Sequence, residues 1–173
     1  MKKLVRLCAA LLLVLLLFCG CSQPQNSQSQ KAETVLKELS EQMVKNGYTD
    51  FTDYLEMTED VDKYDGSVEK RYIYTVNDAC EFEMWKDSQG FVAVMCVAFD
   101  ANINTEDKEE MKYLMDCIIN MFDPDYHDEI LKELGDYSTL KEEEQRTYNI
   151  NKRTYMYTPL DQRIMFLLYF YRG

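Results

Sequence analysis

The sequence predicts an α+β fold, an antiparallel sheet of about five strands built from hairpins with helices packed on it. Three observations carry this. Residues 80–86 place Cys80, Phe82 and Met84 on one side and Glu81, Glu83 and Trp85 on the other, the period of two that marks a strand with one buried face. Residues 105–122 repeat Met111, Leu114, Met115, Ile118, Ile119 and Phe122 at the spacing of a helical stripe. The strand-like segments follow one another through turn residues instead of alternating with helices, which argues against a parallel sheet.

The elements follow in chain order. Lys31 to Asn46 reads as an amphipathic helix with Val35, Leu36, Leu39, Met43 and Val44 on one stripe, and Gly47 as its C-cap. Tyr48 to Met57 reads as a short helical turn, and Thr58 to Ser67 as an acidic loop. Strands are expected at 70–75 and 80–86. Asp87-Ser88-Gln89-Gly90 is turn chemistry. Phe91 to Phe99 is apolar throughout, the signature of a central strand covered on both faces. Asn104 is a suitable N-cap for the helix that follows, and Asp123-Pro124 stops that helix. Tyr126 to Leu134 is a shorter helix ended by Gly135, and Lys141 to Glu144 is a solvated charge run. Thr147 to Thr158 and Arg163 to Tyr171 complete the strands. Tyr72-Ile73-Tyr74-Thr75-Val76-Asn77-Asp78 and Tyr155-Met156-Tyr157-Thr158-Pro159-Leu160-Asp161 share the pattern Tyr-x-Tyr-Thr-x-x-Asp. Both stretches read as hairpins, either by duplication or by convergent composition, with Pro159 in a type I turn.

The chain has 173 residues, 46% of them hydrophobic, and a formal net charge of −12. That is one domain's worth of chain with enough apolar content for a core. The acidic balance excludes nucleic acid, whose binding requires a basic face.

Candidate chemistry is sparse. The one histidine, His127, has no second histidine nearby and no catalytic signature around it, so it reads as a solvent-facing residue at a helix start. Gly66 fails as the sixth position of a calcium loop, because Val61, Lys63 and Tyr72 then occupy ligand positions. An irregular calcium site at Asp60, Asp62 and Asp65 is the remaining metal option; no metal ligand set and no cofactor are predicted, and no catalytic residue is named. Cys80, Cys96 and Cys117 sit in apolar contexts and read as free, buried small hydrophobes; one disulfide with a spare thiol is the other reading. The aromatics stand out: thirteen Tyr, eight Phe and one Trp. Tyr72 and Tyr74 share a strand face, as do Tyr155 and Tyr157, and alternation puts Trp85 opposite Phe82 and Met84. These five are the candidate binding residues, since aromatics on a sheet offer large contact area at low entropic cost.

The N-terminus carries an address. Lys2, Lys3 and Arg6 precede an apolar run from Leu7 to Phe18, then Phe18-Cys19-Gly20-Cys21 and a polar Ser/Gln/Asn stretch through Gln30. The apolar run is short for a membrane span. This resembles the lipobox of bacterial lipoproteins read by signal peptidase II, with Phe18 where Leu is usual and Cys19 where Ala or Ser is usual. The resemblance implies a signal peptide over 1–20, lipidated Cys21 with a flexible tether over 21–30, and a single α+β domain over 31–173. It implies an extracytoplasmic protein held to the bacterial cell membrane by its N-terminal lipid. Cleavage removes three basic side chains and no acids, leaving 16 basic against 31 acidic residues, a net −15. Anionic headgroups repel such a domain, so the lipid does the anchoring.

Two classes of function stand against each other. The first is a non-enzymatic domain that binds an envelope protein or a small ligand; the second is a carrier of an apolar or small solute in a cavity, with a carboxylate-based hydrolase behind both. Cys21→Ala is expected to lose the acyl mass and membrane association. If the variant still fractionates with membranes, the lipobox reading is wrong.

Overall fold

The computed structural model describes residues 30–62, 68–141 and 143–171. Helix α1 (Ala32–Lys45) leads into strands β1 (Leu55–Asp62), β2 (Val68–Asn77), β3 (Cys80–Lys86) and β4 (Val92–Asp100). Helices α2 (Thr105–Phe122) and α3 (His127–Leu134) follow, then β5 (Arg146–Ile150), β6 (Arg153–Leu160) and β7 (Arg163–Phe170). The strands form one antiparallel sheet in the order β1-β2-β3-β4-β7-β6-β5.

The sheet has seven strands where the sequence predicts about five, and the difference lies in two places. The segment read as a helical turn and acidic loop forms a short 3-10 turn at Phe51–Asp53 and then β1. As an edge strand, β1 buries neither face, so Leu55 and Met57 stay about half exposed and no alternation advertises it. Its acids are tied laterally instead, Glu59 to Arg71 at 2.6 Å and Asp60 to Lys70 at 3.8 Å. Residues 147–158, read as one strand, contain a hairpin between β5 and β6. Its loop is Asn151-Lys152, with φ of 47° and 59°, the two left-handed residues of a type I′ turn. No glycine marks it. Pro159 does not sit in a turn but pairs with Ile164 inside the β6–β7 ladder.

The other elements form where their chemistry directs. The Asn104 side chain accepts from the Asp107 N–H at 3.0 Å and starts α2. Asp87 Oδ1 accepts from the N–H groups of Gln89 and Phe91, closing the β3–β4 turn. Gly90 there has φ of +81°, a conformation open to glycine at little cost. β4 lies at the centre of the sheet, and Val94, Met95, Cys96, Val97, Ala98 and Phe99 are all buried. The motif residues Asp78 and Asp161 each open a two-residue hairpin loop. The β2–β3 and β6–β7 hairpins flank the central strand β4, with β3 and β7 beside it and β2 and β6 each two places away.

All three helices lie on one face. Leu39 and Met43 of α1, the whole predicted stripe of α2, and Ile130 and Leu134 of α3 join one cluster with Phe82, Met95, Val97, Tyr155 and Phe166. Val44 is the exception to the α1 stripe, at 51% exposed.

One polar knot is embedded in this core. Asp123 ends α2, and its carboxylate accepts from Arg153 Nε and Nη2 at 2.8 and 2.7 Å, from Asn151 Nδ2 at 2.8 Å and from the Tyr155 hydroxyl at 2.6 Å. The Asp123 and Arg153 side chains are 0% and 2% exposed. Replacing one partner strands the other charge in a dry environment, which costs roughly 3–5 kcal/mol. Asp123→Ala is expected to lose about that much in denaturant melting; a loss under about 1 kcal/mol would show the knot to be dispensable.

Cys80, Cys96 and Cys117 are free and buried. Burial pushes all three thiols up, which keeps them protonated. Cys80 belongs to the helix-side cluster and Cys96 to the opposite face, so their side chains point apart. Melting is therefore expected to be the same with and without reductant. A large drop on reduction would reveal a disulfide.

Candidate functional site

The sheet face away from the helices carries a second, smaller cluster. Val94, Cys96, Ala98 and Leu167 are buried there, surrounded by half-buried Trp85, Ala93, Met156, Met165 and Tyr169. The register brings them together: Arg71, Trp85, Val94, Tyr169 and Thr154 run across the sheet in one row, and Ile73, Glu83, Cys96, Leu167 and Met156 in the next. No described helix lies over this face.

Trp85 lies opposite Phe82 and Met84, and its indole Nε1 is buried without a hydrogen-bond partner among the described residues. The Arg71 guanidinium sits 5.9 Å from its ring centroid, within cation–π range. Arg71 also holds Glu83 at 2.9 Å and Glu59 at 2.6 Å, and these carboxylates raise its pKa further above the ordinary arginine value. At the other end of the strands, Arg163 donates to Glu81 at 2.6 Å and to the Ala98 carbonyl at 3.1 Å. The apolar rows are thus flanked by two groups in which one arginine is held by two carboxylates, Arg71 by Glu59 and Glu83 and Arg163 by Glu81 and Asp100.

The tyrosines named from the sequence go elsewhere. Tyr74, Tyr155 and Tyr157 are 6%, 0% and 2% exposed, within the helix-side core. Tyr74 meets Phe51 edge-on, Tyr155 is held by Asp123, and the Tyr157 hydroxyl has Met115 Sδ at 3.7 Å. Tyr72 is partly buried on the same side, with Lys86 Nζ 4.8 Å from its ring centroid. The structure therefore separates Trp85 from the four tyrosines by the thickness of the sheet. Register explains this: each Tyr-x-Tyr pair lies across from Met84 and Phe82, or from Leu168 and Phe166, all core residues. Cys21 lies outside the described residues.

His127 is not solvent-facing. Its side chain is 21% exposed and bridges α2 and α3, with Nε2 3.1 Å from Asp116 and Nδ1 3.1 Å from Asp128. Asp60 belongs to β1, and Asp65 lies outside the described residues. Among the described residues no group of three or more His, Cys, Asp and Glu side chains is placed to hold a metal ion, and no helix is long and apolar enough to cross a membrane.

The sequence reading missed the Arg71–Glu83–Glu59 group. Its signal was present as a charged residue at every second position, Glu83 and Arg71, on strands whose other face is apolar. Compared with known proteins, the chain matches no family model, no curated protein and no solved structure.

Proposed function

We propose that this chain is a lipid-anchored extracytoplasmic lipoprotein, tethered to the bacterial cell membrane through Cys21, whose domain binds an envelope protein without catalysis. The observation that carries the binding reading is Trp85, half-buried on the sheet face that no described helix covers, under Arg71 and in one row with Val94 and Tyr169. The flanking arginines are already paired with carboxylates within the face, so the partner that fits is an apolar protein surface that brings no acidic groups to them. A bilayer fits poorly, because the net −15 of the mature chain repels anionic lipid. Buried central aromatics of this kind carry much of the energy of an interface.

The experiment places a photocrosslinking amino acid at position 85 and, as control, at position 38 on the exposed side of α1, in lipid-anchored protein in intact cells. Adducts with an envelope protein from position 85 alone support the reading; lipid adducts alone, or none, sink it. Trp85→Ala is expected to lose clearly less than the roughly 3–5 kcal/mol of a core aromatic truncation while weakening the partner by about 2 kcal/mol or more. A full core-sized loss in melting would assign Trp85 to packing only.

A further inference from the structure

On the opposite side of the sheet, a pocket of about 300 Å³ opens between α2, the end of α3 and β6. That volume is at the small end for ligand sites. Its wall is apolar and aromatic: Met115, Leu131, Tyr137 and Tyr157 line it, with the two tyrosine rings 6.2 Å apart. Two features set it apart from an ordinary packing gap.

The first is a pair of phenols short of acceptors. Tyr137 is 5% exposed, and its hydroxyl is buried with no hydrogen-bond partner among the described residues. Tyr157 is 2% exposed, and its hydroxyl finds only the Met115 sulfur, a weak acceptor. A buried hydroxyl without a proper acceptor carries an uncompensated desolvation cost. Burial also pushes the Tyr157 phenol up, so at neutral pH it is a donor. The second feature is charge. Lys108 and Lys112 line the pocket, with Lys108 Nζ 5.3 Å from the Tyr137 ring centroid. Two carboxylates line the pocket as well: Asp136, which caps the following turn through the Ser138 N–H at 2.9 Å and is held below the usual carboxylate range by that hydrogen bond and in part by both lysines, and Asp116, which pairs with His127. Donors seeking an acceptor, two ammonium groups and aromatic walls together describe one ligand chemistry.

We propose that this pocket binds a small carboxylate with a compact aromatic body, of about the size of phenylacetate, its carboxylate accepting from the Tyr137 hydroxyl and the lysines and its body held between Met115, Leu131 and the two tyrosine rings. The site lies on the helix side of the sheet, so it stands or falls independently of the Trp85 surface.

Calorimetric titration of the full chain with phenylacetate tests it, with neutral phenylacetamide as comparison. Saturable binding of phenylacetate, at least about tenfold tighter than the amide, is expected from charge-assisted hydrogen bonds. Tyr137→Phe provides a readout that packing alone does not give. Removing an unpartnered hydroxyl leaves the ligand-free melting temperature unchanged or raises it, while phenylacetate affinity falls about five- to tenfold. Leu131→Trp, which fills the pocket, abolishes binding in a chain that still melts cooperatively. Failure of phenylacetate to saturate in the millimolar range overturns the proposal. So does equal binding of the amide, or affinity untouched by both variants.

Discussion

The Asp123 carboxylate holds together the parts of this fold that sequence proximity does not. It ends α2 through its own backbone, with its N–H bonded to the Ile119 carbonyl, and its side chain reaches the hairpin between β5 and β6. Four donors from Asn151, Arg153 and Tyr155 converge on it, and Arg153 also donates to the Phe122 carbonyl at 2.9 Å. An apolar contact at this place could supply comparable burial energy, but it would not specify one register. A buried ion pair adds little net stability, and its energetic weight lies in the cost of breaking it. Sliding β6 along β7 by one residue would carry Arg153 and Tyr155 to the far face and leave Asp123 buried and alone. The knot therefore rejects alternative packings of α2 on the second half of the sheet. The position of Met115 and Lys112 relative to Tyr157 follows from it.

What the sequence displayed depended on how each element is solvated. α2, β3 and β4 have one environment per face, and their patterns reproduced that directly: every residue of the α2 stripe is buried. β1 is solvated on its outer edge and held by lateral ion pairs, so it lacked a period. The β5–β6 loop achieves its positive φ values with Asn151 and Lys152, and only the first of these is a residue that tolerates them readily. The tyrosine pairs were visible as strand residues, but a tyrosine is amphipathic and serves core or surface equally well. Their assignment to the helix side required the register. Trp85 was legible because its neighbours Phe82 and Met84 left it only the other face. The Tyr137 pocket was not legible at all, since Lys108, Leu131, Tyr137 and Tyr157 come from four separate elements.

The charge distribution follows the same division between faces. Most of the excess acid lies at exposed helix and loop positions, while the cations on the strands are used locally, Arg71 and Arg163 within the sheet surface and Arg153 beneath it. A domain of this kind offers few unengaged cations to an anionic surface. Lys108 and Lys112, grouped with Asp116 and Asp136 at one pocket, make a locally balanced spot in an acidic molecule.

The two candidate surfaces also lie at opposite ends of the domain. Its described start is fastened to the β3–β4 turn: Val92 N–H bonds to the Gln30 carbonyl, Ala32 N–H to the Gly90 carbonyl, and Lys31 bridges Phe91. Trp85 lies one residue from the end of β3 that enters this turn. The pocket lies toward the other end of β4, where Phe99 meets Tyr137 edge-on with ring centroids 4.9 Å apart and the first turns of α2 supply Lys108. In a chain lipidated at Cys21, eight residues lie between the anchor and Gln30, and the chain between them reaches at most about 30 Å. Under that anchoring, a flexible tether limits how far the β3–β4 turn stands from the bilayer and leaves the domain free to turn about it.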